Sequence, residues 1–159
     1  MSYIKLFFVF LLFSFIQFIV LPSFSFRGAF LNILFVYVVL LILNSRYKKS
    51  IFFAILSGIF YDIFSLSYPG LYLVSFVVIA LILNFIINKY ISRANIIFII
   101  IIFFVSSILL DLPAVILGNQ NYQLLLYVAL YNTIFGTLLY YLLGDYLCPP
   151  KSVYKMRIK

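Results

Sequence analysis

Six apolar runs, each cut off by a short polar interruption, dominate this 159-residue chain. They cover approximately 6–21, 30–43, 51–66, 71–87, 96–110 and 124–143. A bilayer-crossing helix needs about 20 apolar residues at a rise of about 1.5 Å each. Six such helices use about 120 residues and leave roughly 39 for loops and termini, which is too few for a domain outside the membrane. Composition agrees: 67% of residues are hydrophobic and 9% charged, against about 25% charged in an ordinary soluble domain. So little polar surface excludes a soluble enzyme, a disordered tail and a nucleic-acid reader. Phe and Ile favour strands in water. In lipid, only helices or closed barrels satisfy the backbone, and these runs lack the period-two alternation of a barrel. The expected fold is an all-α membrane protein of six transmembrane helices forming one domain over 1–159.

Orientation follows from the cations that flank the runs. One side receives Lys5, Arg46, Lys48, Lys49, Lys89, Arg93, Lys151, Lys155, Arg157 and Lys159, and the other receives Arg27 alone. This ten-to-one split predicts that both termini are cytoplasmic, and it makes the net charge of +8 topological, not a nucleic-acid signature. The first run, with Lys5 before it and Ser23-Phe24-Ser25 after it, has features of a signal peptide. It is longer than most such apolar regions and ends awkwardly at Pro22, so retention is expected; cleavage would leave five spans. The tail from Cys148-Pro149-Pro150 to Lys159 is basic enough to lie near anionic lipid headgroups, although a topological role suffices. A lone Cys148 excludes an internal disulfide. The wealth of Phe, Ile, Tyr, Asn and Lys points to an AT-rich bacterial source.

Polar groups inside the runs are the candidate functional residues, because burying them in lipid is costly without a partner. Asp62 lies 11 residues into the third run, about 16 Å along a helix and slightly beyond the midplane. Ala54, Gly58 and Asp62 recur every four residues and share one face, a small-small-acid stripe suited to helix packing. Asp62 is either a ligand, proton or partner-docking group, or a structural carboxylate bonded to Asn, Ser or Tyr of a neighbouring helix. Ala80, Asn84 and Asn88 in the fourth run, and Asn132, Gly136, Tyr140 and Gly144 in the sixth, form comparable stripes. Gln17 and Asn32 are isolated polar groups. Asp111 ends the fifth run just before Pro113 and reads as an interfacial or helix-capping acid. With Asp62 it allows a polar cavity in the outer half.

The chain has no His and no Glu, and its only other acid is Asp145. Scattered aspartates without a Cys cluster do not make an ordinary transition-metal shell. A nucleophilic Ser or Cys would lack a base, and no glycine loop is present to hold phosphates. No enzymatic activity, metal or cofactor is expected. Cys148, on the expected cytoplasmic side near the membrane, has palmitoylation or no role at all as its options, and no role is the simpler.

The stretch Ile55-Leu56-Ser57-Gly58-Ile59-Phe60-Tyr61-Asp62-Ile63-Phe64-Ser65-Leu66-Ser67-Tyr68-Pro69-Gly70-Leu71-Tyr72 resembles the rod shape-determining protein MreD family. The shared pattern is a glycine four residues before an aspartate, a short turn, then Gly-Leu opening the next span. Arg27 ahead of Asn32-Ile33-Leu34-Phe35-Val36-Tyr37 is similar to the family's second span, though Gly28-Ala29 stands where the family often has a proline. The resemblance implies a non-enzymatic component of the bacterial elongation machinery in the cytoplasmic membrane. Its partners would be an MreC-like single-span protein, MreB, and RodA with its transpeptidase. Gly58, Asp62 and Gly70 would serve packing, a buried polar contact and a turn. The alternative is a substrate-capture subunit of an energy-coupling vitamin transporter, an architecture to which MreD is thought similar. Those subunits usually carry an alanine-rich docking stripe on the first helix, and Leu6 to Leu21 contains no alanine.

Overall fold

The structure is a computed structural model, and it describes residues 3–44, 47–64, 69–90, 95–118 and 121–147. Arg46, Arg93, Cys148, the basic tail and residues 65–68 of the resembling stretch lie outside the described residues. So do the side chains of Asn88, Lys89 and Asp145.

Among the described residues every regular element is a helix: α1 (Tyr3–Phe15), α2 (Ile33–Leu43), α3 (Tyr47–Phe64), α4 (Leu71–Tyr90), α5 (Ile96–Gly118) and α6 (Tyr122–Leu147). α1 continues through one π-helical turn, Ile16–Val20, and a 3-10 turn, Leu21–Phe24. Among the described residues three helical stretches are long and apolar enough to cross a membrane: Tyr3–Phe24, Ile96–Leu117 and Tyr122–Leu142. Their outward faces carry Phe8, Leu12, Ile97, Ile101, Ile134 and Leu138, all exposed. Polar Gln17, Asn32, Ser107 and Asn132 are buried instead. That apolar-outside, polar-inside pattern is the arrangement a bilayer rewards, and it marks a membrane protein.

Three helix limits differ from the sequence expectation, each for a local reason. α2 begins at Ile33, not at 30, because Asn32 caps it: the Phe35 N–H donates to Asn32 Oδ1 at 3.0 Å. α2 is 11 residues long, about 16 Å, roughly half the thickness of a hydrocarbon core. It is the centre of the bundle, with every residue from Leu34 to Ile42 buried. α5 does not stop at 110 but runs through Pro113 to Gly118. Proline withholds one N–H, here the donor for the Leu109 carbonyl, yet helices packed among others tolerate that loss. Asp111 is therefore a mid-helix residue, not a helix cap. α3 starts at Tyr47, so Lys48 and Lys49 form its first turn.

α3 and α4 pack as an antiparallel pair, with Tyr61 against Phe76 at one end and Ser50 against Asn84 at the other. α5 and α6 pair likewise, through Ser107 with Asn132 and Phe103 with Gly136. α1 lies along α3 through a ladder of rings, Tyr3–Phe52, Phe10–Phe53, Phe10–Phe60 and Phe18–Phe64. The edge-to-face geometry of the first three adds to the area they bury.

Candidate functional site at the turn end of the bundle

The segment between α1 and α2 is not helical, and its backbone groups need partners. Phe26 and Ala29 exchange both backbone hydrogen bonds at 2.9 Å. The two residues between them, Arg27 and Gly28, have φ of 53° and 81°, as in the primed two-residue hairpin turns. Glycine adopts that conformation freely, whereas Arg27 is strained there. The Arg27 guanidinium is held by Tyr127, donating from Nη1 to its hydroxyl at 2.7 Å. It also lies 5.5 Å from the centre of the Phe26 ring and 5.6 Å from that of Tyr127, within cation–π range.

Beyond the hairpin, side chains complete the backbone. Gln17, turned inward on the π-helical turn, donates from Nε2 to Leu31 O at 3.1 Å and accepts from Ile33 N at 2.7 Å. The Asn32 N–H donates to Asn132 Oδ1 at 2.7 Å, and Asn132 Nδ2 donates to Ser107 Oγ at 2.7 Å. Two helices thus close the start of α2, α1 through Gln17 and α6 through Asn132, with Ser107 of α5 holding Asn132 in place. In sequence these two were an isolated polar group and a packing stripe, and nothing in their spacing signals a common target.

The residues of the resembling motif meet at the α3–α4 corner. Gly58 faces the backbone of α4: a Cβ built on it would lie 2.5 Å from Leu73 Cα. Gly70 has φ of 86° and precedes the first residue of α4, where the Val74 N–H donates to its carbonyl at 3.0 Å. A glycine in the capping position offers no side-chain oxygen to the orphan N–H groups of the first turn. Asp62 supplies both oxygens: Oδ1 accepts from Tyr72 N at 2.9 Å and Oδ2 from Leu73 N at 3.0 Å. The positive end of the α4 dipole adds to this. The partners of Asp62 are therefore backbone N–H groups, not the Asn, Ser or Tyr side chains expected. Replacing Asp62 with Asn leaves one acceptor and sets an NH2 against an N–H, at a cost of about 1–3 kcal/mol. Thermal unfolding in detergent should show that loss, and Asp62→Ala should exceed it.

Tyr72 joins this corner to a cavity. Its N–H is bonded to Asp62 while its side chain, with Tyr61, Asn32, Phe30 and Asp111, lines a space of about 240 Å³. Gly28 of the hairpin and Leu124, Leu125 and Val128 of α6 complete the wall. The Tyr61 and Tyr72 rings lie 5.3 Å apart at 43°, and Asp111 lines the same cavity as both. Asp111 itself forms no hydrogen bond or ion pair with any described residue. Gly58, Asp62 and Gly70 thus serve one corner, and Asp111 stands apart from them across the cavity.

Among the described residues no cluster of three His, Cys, Asp or Glu side chains could hold a metal ion. No protein-family model, curated protein or solved structure matches the chain.

Proposed function

We propose that this chain is a non-enzymatic, MreD-like component of the bacterial cell elongation machinery. Its six helices, the short enclosed α2 among them, make the six-helix unit in the cytoplasmic membrane with both termini inside, and it holds an MreC-like single-span protein beside the peptidoglycan synthases. The observation that carries the proposal is the α3–α4 corner: the three residues matching the family pattern, Gly58, Asp62 and Gly70, converge on the start of α4. Asp62 spends both oxygens there, which suits a rigid scaffold better than a reacting group. The ten-to-one distribution of Lys and Arg supports the orientation.

Depletion in a rod-shaped host should give round cells, and an MreC-like protein should co-purify with the chain. Normal rods with a vitamin requirement would overturn the proposal. A fluorescent protein fused after Lys159 should fold and fluoresce, as only a cytoplasmic C-terminus allows.

The cavity favours a second function, substrate capture for an energy-coupling transporter. The absence of alanine from Leu6 to Leu21 counts against docking of that kind, with Phe8, Leu12 and Phe15 exposed instead.

A further inference from the structure

We propose that the cavity between α3, α4, α5 and α6 binds a small organic monocation of the ammonium type, with Asp111 as counter-ion and the Tyr61 and Tyr72 rings as its aromatic walls. The inference goes beyond the scaffold function and requires no transport activity. It begins with charge. Asp111 is half-buried on the wall of a largely apolar cavity and makes no hydrogen bond or ion pair with a described residue, so a cation beside it would stabilise its charged form. The other charged groups at this end are committed elsewhere. Asp62 is bonded to Tyr72 N and Leu73 N, and Arg27 is held by the Tyr127 hydroxyl and ring.

The walls then select the kind of cation. One carboxylate, two phenols and the Asn32 amide, whose oxygen already caps α2, are too few oxygens for the six to eight that calcium takes, and magnesium demands near-ideal octahedral geometry. Two tilted rings beside a single negative charge are what an ammonium group needs, its charge meeting the carboxylate and its alkyl surface the ring faces. Phe30, Val115 and Leu125 make the rest of the wall apolar, which suits a methylated or alkylated nitrogen better than a heavily hydrated ion. Size limits the ligand further: about 240 Å³ falls below the roughly 300–1,000 Å³ of sites for drug-sized molecules. The ligand is therefore a small amine and not a lipid headgroup carrying its glycerol and chains.

Equilibrium binding of radiolabelled choline to the full-length chain in detergent tests this. Choline should saturate at one molecule per chain. Its neutral isostere, in which a tert-butyl group replaces the trimethylammonium, should fail to compete, and so should sodium chloride at matched ionic strength. Asp111→Asn should weaken binding about tenfold or more while the circular dichroism spectrum stays helical. Should that variant fail to fold, Val128→Trp fills the cavity with the carboxylate retained and should abolish binding. Competition by the isostere equal to that of choline, undiminished binding to either variant, or no saturable binding of choline, tetramethylammonium or ethanolamine would overturn the proposal. None of these results bears on cell shape, so the scaffold function stands or falls separately.

Discussion

Gly58→Ala should be the most damaging single-methyl change in this protein. The added Cβ would lie 2.5 Å from Leu73 Cα, 3.0 Å from Leu73 N and 3.1 Å from Tyr72 O. All three are backbone atoms at the start of a helix, so no rotamer change relieves the clash and α3 must part from α4. Overpacking typically costs about 1–3 kcal/mol where side chains can give; against backbone the loss should reach or pass the top of that range. The damage spreads, because Tyr72 N and Leu73 N are the two donors to Asp62. Separating the helices therefore weakens the cap as well as the packing. Unfolding by sodium dodecyl sulfate titration, followed by circular dichroism, should show a much earlier midpoint. Ile59→Ala, one residue along on an exposed face, should stay within about 0.5 kcal/mol of the parent. Equal stability of Gly58→Ala and the parent would mean that α3 and α4 do not approach this closely.

Asn132→Leu should be nearly as costly, for an electrostatic reason. Asn132 accepts from the backbone N–H of Asn32 and donates to Ser107 Oγ, each at 2.7 Å, and all three residues are buried. Leucine conserves most of the volume and removes both partners at once. A buried donor left without an acceptor costs about 1–3 kcal/mol. Side-chain hydrogen bonds between membrane helices average nearer 0.6 kcal/mol, because the unfolded chain in the bilayer finds other partners. The Asn32 N–H decides between these figures: it lies just before α2, where no helical carbonyl is available to it, so the larger cost should apply. The expected total is about 2–4 kcal/mol, and amide exchange at Asn32 and Ile33 should accelerate. Asn132→Asp retains the acceptor for Asn32 N and loses only the donor to Ser107, so it separates the two bonds. An Asn132→Leu variant with unchanged stability and exchange would mean that the start of α2 is closed by other groups.

Much of this architecture was legible in the sequence because lipid offers few solutions. With no water to satisfy the backbone, a long apolar run becomes a helix, and runs one, four and six became helices within a few residues of the expected ends. The shared face of Ala54, Gly58 and Asp62 was legible as well, since four-residue spacing puts small and acidic groups on one side whatever they meet, whereas Gly70 entered only through the family resemblance. The identity of the partner was not legible. That Asp62 binds the N–H groups of Tyr72 and Leu73 depends on how deeply α4 begins beside it, and on a capping glycine with no oxygen of its own.

Two runs sit differently from what their composition suggests, because composition carries no depth. Asp111-Leu112-Pro113 has the look of a helix end, but neighbouring helices hold α5 together past the proline, which turns Asp111 from a helix end into the wall of a cavity. The run at 30–43 has the composition of a membrane span, but its helix is half that length and wholly enclosed. An enclosed helix can start in the middle of a bundle only if its first N–H groups are met, and Gln17 and Asn132 meet them from 16 and 100 residues away. Such pairings have no local spacing to betray them. The sequence by itself determined that the chain is helical, where its runs lie and which side chains it must hide, because hydrophobicity and backbone hydrogen bonding are properties of each run. Only the tertiary structure decided what the hidden groups do, because a buried polar atom takes its role from whichever neighbour the packing brings within 3 Å.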